Sequence, residues 1–232
     1  MADVTFRAAP TVGSAITNRI QRFARVRPAG DRGFAFAAIT DAEFPWPGPN
    51  ERNDRFERIA ATLGALDPLF VVSVGDQMAD TRGLWDEEKV LSADAVRQQF
   101  GRLPVPVFAL PGVNEAGRFY EGMQTRWYHE KYLQLPAQFS VEVDGTLIAG
   151  IDTTAVGEPA REGGGAFVRP GQAAWLQNVL GSYTGRLPIV AGHVSPCDAF
   201  EDSPDREVLL GLLYTNRVRA VLSGYRHETL DQ

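Results

Sequence analysis

Five side chains with donor chemistry stand just beyond points where apolar runs stop: Asp41, Asp76, Asn114, His193 and His227. Carboxylates supply hard oxygen donors and imidazoles supply nitrogen. Brought to one place, such groups form the ligand set of a divalent metal site. Taken singly they have plainer uses. Aspartate forms turns and caps helices, and a buried histidine can be satisfied by backbone groups. Two of the three histidines of the chain belong to this set. The third, His129, lies in Trp127-Tyr128-His129-Glu130 and reads as a surface or packing residue.

The elements that must position these residues follow from hydrophobic patterning. Residues 34–40, 69–74, 105–110, 187–191 and 218–222 are short apolar runs, closed by an acid, Gly, Pro, Gly and Ser-Gly respectively, and read as buried strands. Helical spacing separates the first three. Phe56, Ile59, Ala60 and Leu63 share one face of a helix ending near Asp67-Pro68, and residues 93–100 form another. Strand and helix alternating at this spacing predict parallel pairing through right-handed crossovers. Residues 139–150 read as a hairpin turning at Asp144-Gly145, and residues 172–180 as a further helix. In an open α/β sheet the carboxyl ends of strands make the binding crevice. The five donor residues fall at such ends.

Asp41-Ala42-Glu43, Gly75-Asp76-Gln77-Met78-Ala79-Asp80, Pro111-Gly112-Val113-Asn114-Glu115, Gly192-His193 and Gly224-Tyr225-Arg226-His227 follow one another in a recognisable order. That order and spacing resemble the calcineurin-like metallophosphoesterase motifs D-x-H, G-D-x-x-D, G-N-H-D/E, a lone H and G-H-x-H, over roughly residues 34–228. The resemblance implies an α/β, four-layer metallophosphoesterase-like fold: two packed mixed β-sheets flanked by helices, with a shortened C-terminal sheet. It also implies a domain over 34–232 behind a basic N-terminal extension at 1–33.

The ligand sets are likewise what the resemblance implies. One metal would be held by Asp41, Glu43, Asp76 and His227, a set suited to Mn²⁺, Fe²⁺ or Mg²⁺. A second would use Asp76, Asn114 and His193, with Tyr225 standing where the family has a histidine. The third motif aligns in two ways. Without a gap, Val113 takes the Asn position and Asn114 that of the catalytic histidine. With one inserted residue, Asn114 is the ligand and Glu115 stands in the histidine's place. Either way the catalytic position falls to Asn114 or Glu115 and the histidine is missing. One ion is therefore expected rather than two, or none.

Two functions follow as expectations. The first is a pseudoenzyme, weak or inactive, with a binding or assembly role. The second is a metal-dependent phosphomonoester or phosphodiester hydrolase working at a single-metal site on a phosphate-containing small molecule. A protein partner or a second copy would dock through the N-terminal extension or the C-terminal sheet edge, since the sequence stops five residues after His227. Within 1–33, six arginines face two aspartates, and Ser14 could cap a short helix carrying Ile16, Ile20 and Phe23.

Composition narrows the field. At 232 residues with 44% apolar and 22% charged residues, the chain can build one large core. A net charge of -6 disfavours sequence-independent nucleic-acid binding, which needs a basic face. Arg118, Arg126 and Arg161 could contact an anionic ligand but read rather as solvated surface residues. Cys197 is the single cysteine, which suits a reducing, cytoplasmic setting. No run approaches the roughly 18 apolar residues of a membrane span.

Overall fold

The computed structural model describes residues 4–6, 34–43, 51–78, 86–116, 137–154, 168, 170–196 and 204–225. The elements in chain order are β1 (Val4–Phe6), β2 (Ala37–Ile39), α1 (Glu51–Leu66), β3 (Val71–Ser73), α2 (Asp86–Arg102), β4 (Val107–Ala109) and α3 (Val113–Ala116). They continue with β5 (Phe139–Val143), β6 (Thr146–Gly150), α4 (Pro170–Gly181), β7 (Leu187–Ala191), α5 (Pro204–Thr215) and β8 (Ala220–Leu222).

Two sheets result. Strands β2, β3 and β4 pair in that order and are all parallel, as the strand–helix alternation predicts. The other sheet runs β1-β5-β6-β7-β8 and is mixed. Its β1/β5 and β5/β6 pairs are antiparallel, and β6/β7 and β7/β8 are parallel. The hairpin turns at Asp144-Gly145, both at positive φ (48° and 73°).

Period-two alternation sorts the strand residues between layers. Val71, Val107 and Ala109 pack against Phe56 and Leu63 of α1 and against Ala93, Val96 and Phe100 of α2. Their neighbours Phe70, Val72, Phe108 and Leu110 point the other way, into a core shared with Phe139, Val141, Ile148 and Ile189 of the second sheet. Leu147, Ala149 and Val190 cover that sheet's outer face beneath Leu176 and Leu180 of α4 and Leu209 and Leu213 of α5. The order helix, sheet, sheet, helix is the expected four-layer architecture.

Aromatic rings carry the central contact. Phe70 meets Phe108 edge-on at 5.4 Å, and Phe108 meets Phe139 of the opposite sheet at 5.0 Å. Such pairs add about 0.5–1.5 kcal/mol beyond the area they bury. Helix α1 stops at Leu66 because Asp67 turns left-handed (φ 45°), returning its N–H to the Leu63 carbonyl, and Pro68 cannot extend the ladder.

Three features lie beyond the sequence expectations. Residues 4–6, expected within an extension, form an edge strand on β5. Helices α3 and α5 were not expected; α5 runs for twelve residues, just over three turns, and buries Leu209 and Leu213 one turn apart while Val208 and Tyr214 stay exposed. The short helix expected around Ser14 lies outside the described residues. Among the described residues no helix is long and apolar enough to cross a membrane.

Candidate metal centre

The strand ends of both sheets meet along one seam. Asp41 follows β2, Asp76 follows β3, and Asn114 and Glu115 follow β4. His193 follows β7, and Tyr225 follows β8. Backbone hydrogen bonds fasten these ends together. Asp41 N–H donates to Gly75 O (3.1 Å), Glu43 N–H to Asp76 O (2.9 Å), and Gly224 N–H to His193 O (2.9 Å).

Asp41, Asp76 and His193 each offer one ligand atom, and the three atoms lie within 4.8 Å of one another. His193 is fully buried. Its Nδ1 lies 2.8 Å from Val74 O, which makes that nitrogen the N–H donor and leaves Nε2 as a lone pair. Nε2 is buried without a hydrogen-bond partner among the described residues, and Asp76 Oδ1 stands 3.4 Å from it, beyond good hydrogen-bond length. A buried imidazole lone pair facing two carboxylates is costly unless something electropositive lies between them. The donor set fits a divalent cation, and His193 already has the backbone partner that fixes a ligating imidazole's tautomer.

Electrostatics agree. Burial works against charging His193, but contact with the Asp76 carboxylate and its charge outweigh burial, aided by Val74 O and Glu115. Its pKa is raised above the ordinary 6.5. A proton can therefore stand in where a cation would sit.

Backbone geometry is strained here. Asp41, Glu43, Asp76 and Tyr225 all adopt positive φ (50°, 42°, 49° and 82°). Aspartate tolerates this region, whereas an aromatic residue rarely enters it. Two glycines permit close approach. A Cβ on Gly112 would meet the backbone nitrogen and Oδ1 of Asp76, and one on Gly224 would meet Thr40 Oγ1 and Asp41 Oδ2.

Glu115 is fully enclosed. Its carboxylate accepts N–H bonds from Gly112 (2.6 Å), Asp76 (2.9 Å) and Met78 (2.7 Å), pinning the turn after β3 to the turn after β4. Burial first, and the charge of Asp76 second, push its pKa up to about 8, against the pull of the Met78 and Gly112 N–H groups and of His193. Asn114 donates its backbone N–H to Asp76 Oδ1 (2.8 Å) and its side-chain Nδ2 to Met78 O (3.1 Å).

The sequence-expected residues thus divide. Asp41, Asp76 and His193 converge. Asn114 and Glu115 grip Asp76 and its turn. Glu43 is half-buried beside them, and its carboxylate does not join the three-residue group. His227 lies outside the described residues, as do Asp80, His129, Arg118, Arg126 and Arg161. Sequence reading passed over Thr40, whose hydroxyl donates to Asp41 Oδ2 (2.6 Å). It also passed over Gln77, whose buried amide donates to Ser73 Oγ (3.2 Å) and Leu110 O (2.6 Å). The placement of Gln77 one residue after Asp76 was its only signal.

A family model described as calcineurin-like phosphoesterase matches residues 34–228. Among solved structures, a dimetal phosphatase from Danio rerio superposes with a TM-score of 0.62 at 15% identity, covering 85% of this chain and 82% of its own. A structure of PhoD aligns at a TM-score of 0.49 and 12% identity, covering 87% of this chain and 52% of its own. None of the curated proteins matches the chain in sequence.

Proposed function

This chain belongs to the calcineurin-like phosphoesterase family, and from that premise we propose that it is a metal-dependent phosphoester hydrolase working at one divalent ion held by Asp41, Asp76 and His193. The observation that carries this reading is the buried, unpartnered Nε2 of His193 aimed at Asp76 within the three-ligand group. A divalent cation would balance the buried Asp76 carboxylate and the half-buried Asp41 carboxylate around that lone pair.

A bound divalent ion would polarise a phosphoryl oxygen and lower the pKa of a bound water, the chemistry this reaction needs. The chain's residues prepare that place. Asp76 is held by the Asn114 N–H on Oδ1, while Glu115 fixes the backbone on either side of it. Asp41 is oriented by the Thr40 hydroxyl and by the Tyr225 N–H, 3.3 Å from each of its oxygens. Glu43 and His227 are proposed as further ligands from their places in the motifs. Of the two residues assigned to the catalytic position, Asn114 is half-buried whereas Glu115 is fully enclosed with its carboxylate taken up by three N–H groups, and we give Asn114 the phosphate contact and Glu115 a positioning role. Mn²⁺, Fe²⁺ and Mg²⁺ remain the candidate ions, for this oxygen-rich set.

Metal analysis of purified protein with an aryl-phosphate assay in Mn²⁺ tests the proposal. Stoichiometric metal and turnover that Asp76→Asn abolishes support it. Metal-free protein without turnover sinks it and leaves the second reading, a binding or assembly role. One observation favours that second reading: among the described residues β8 is the edge of its sheet, with Val221 40% exposed. An apolar sheet edge of this kind invites a pairing strand.

A further inference from the structure

We infer that Tyr225 sets the substrate class, selecting phosphoesters that carry a planar aromatic group next to the phosphate; the inference rests on the hydrolase reading above. Three observations meet at this residue. Its backbone N–H is tied to the Asp41 carboxylate, so its Cα stands at the edge of the metal group. Its ring lies edge-on to the His193 imidazole, with centroids 5.9 Å apart and planes at 81°. Its surface is 40% exposed, whereas His193 is fully buried and Asp76 nearly so. The ring is therefore a half-open aromatic wall beside the place where a phosphate would be bound.

Its backbone supplies the reason to assign the side chain a task. Tyr225 holds φ at 82°, a conformation natural to glycine and costly for an aromatic residue. Gly224 before it lies so close to Thr40 and Asp41 that the turn has no room to relax toward them. A glycine at 225 would satisfy the same turn and keep the N–H that Asp41 accepts. Only the ring would be lost. A flat π-face with exposed surface offers stacking to an aromatic substituent, worth roughly tenfold in affinity or more, and offers little to a methyl group.

Binding rather than turnover gives the clean test, because aryl and alkyl esters differ in leaving-group ability. The affinities of phenylphosphonate and methylphosphonate, neither of which has an ester to cleave, are measured calorimetrically on the full chain loaded with Mn²⁺. The wild type should prefer the phenyl compound by about tenfold. Tyr225→Phe should keep that preference. Tyr225→Gly, which keeps the N–H that Asp41 accepts, should bring the phenyl compound down to the affinity of the methyl compound, and its melting temperature should hold or rise as the strained φ is relieved.

A wild type that binds both phosphonates equally overturns the inference and leaves the hydrolase reading standing. So does a Tyr225→Gly variant that keeps the preference. A wild type that binds neither overturns both. A Tyr225→Gly variant that loses stability together with both ligands would show Tyr225 to be a structural cover for His193, which also overturns the inference.

Discussion

The Nε2 atom of His193 faces Oδ1 of Asp76 across 3.4 Å in a fully buried setting, with Nδ1 of the same ring engaged by Val74 O. The two residues come from different sheets. Their meeting turns a packed seam into a site.

Removing the charge of Asp76 alone should remove the ion. In Asp76→Asn, Oδ1 can still accept from Asn114, so the turn keeps its shape while the ligand charge is lost. Metal affinity should fall by at least about 10–100-fold. Metal content after dialysis reads this, with circular dichroism unchanged. A variant that keeps stoichiometric metal would refute the ligand role of Asp76.

Metal binding should weaken in acid, and from a higher pH than an ordinary histidine would dictate. The neighbouring Asp76 raises the His193 pKa above 6.5 against the opposing effect of burial. Below that raised pKa a proton must leave Nε2 for each ion that binds. Affinity should therefore be flat above it and fall roughly tenfold per pH unit below it. Mn²⁺ titrations between about pH 6 and pH 8 measure the slope. A profile flat throughout would mean that His193 is not a ligand.

Glu115→Gln should destabilise the fold and loosen Asp76. An amide presents one acceptor oxygen where three N–H groups now find two, and its NH₂ would confront at least one of those donors. A buried donor left unsatisfied costs about 1–3 kcal/mol, which for a chain of this size lowers the melting temperature by roughly 2–10 °C. Calorimetry gives the shift. An unchanged melting temperature would show that the three bonds contribute nothing.

Two glycines should respond in opposite ways to alanine. At Gly112 the new methyl would overlap Asp76 N and Oδ1, backbone included, so Gly112→Ala should cost about 1–3 kcal/mol and weaken metal binding. Gly64 lies within α1 with open space where a Cβ would go, so Gly64→Ala should gain about 0.5–1 kcal/mol. Denaturant titration of the pair provides an internal control. Equal responses would contradict the packing described around Asp76.

Much of the fold was readable from residue order. The apolar runs at 69–74, 105–110 and 187–191 became β3, β4 and β7, and Phe56 and Leu63 at helical spacing became the buried face of α1. These signals are local, fixed by alternation and by breakers such as Pro68 and Asp144-Gly145. Strand β1 was not readable, because three residues within an arginine-rich stretch carry no period, and only pairing with β5 makes them a strand. Helix α5 went unread because its apolar residues run together as Val208, Leu209 and Leu210 and mask the stripe that buries Leu209 and Leu213.

The site divides along the same line. By itself the sequence determined which residue types close each strand: the acids at 41 and 76, the amide at 114, the imidazole at 193 and a tyrosine where a histidine was expected. It could do so because turn chemistry and strand termination act over a few residues. Only the tertiary structure decided that Asp41, Asp76 and His193 share one point, that Glu115 binds backbone rather than facing outward, and that Tyr225 stands over His193. Those outcomes span 119 residues between Val74 and His193 and 184 between Asp41 and Tyr225. Such distances are set by how two sheets pack face to face, which no local pattern encodes.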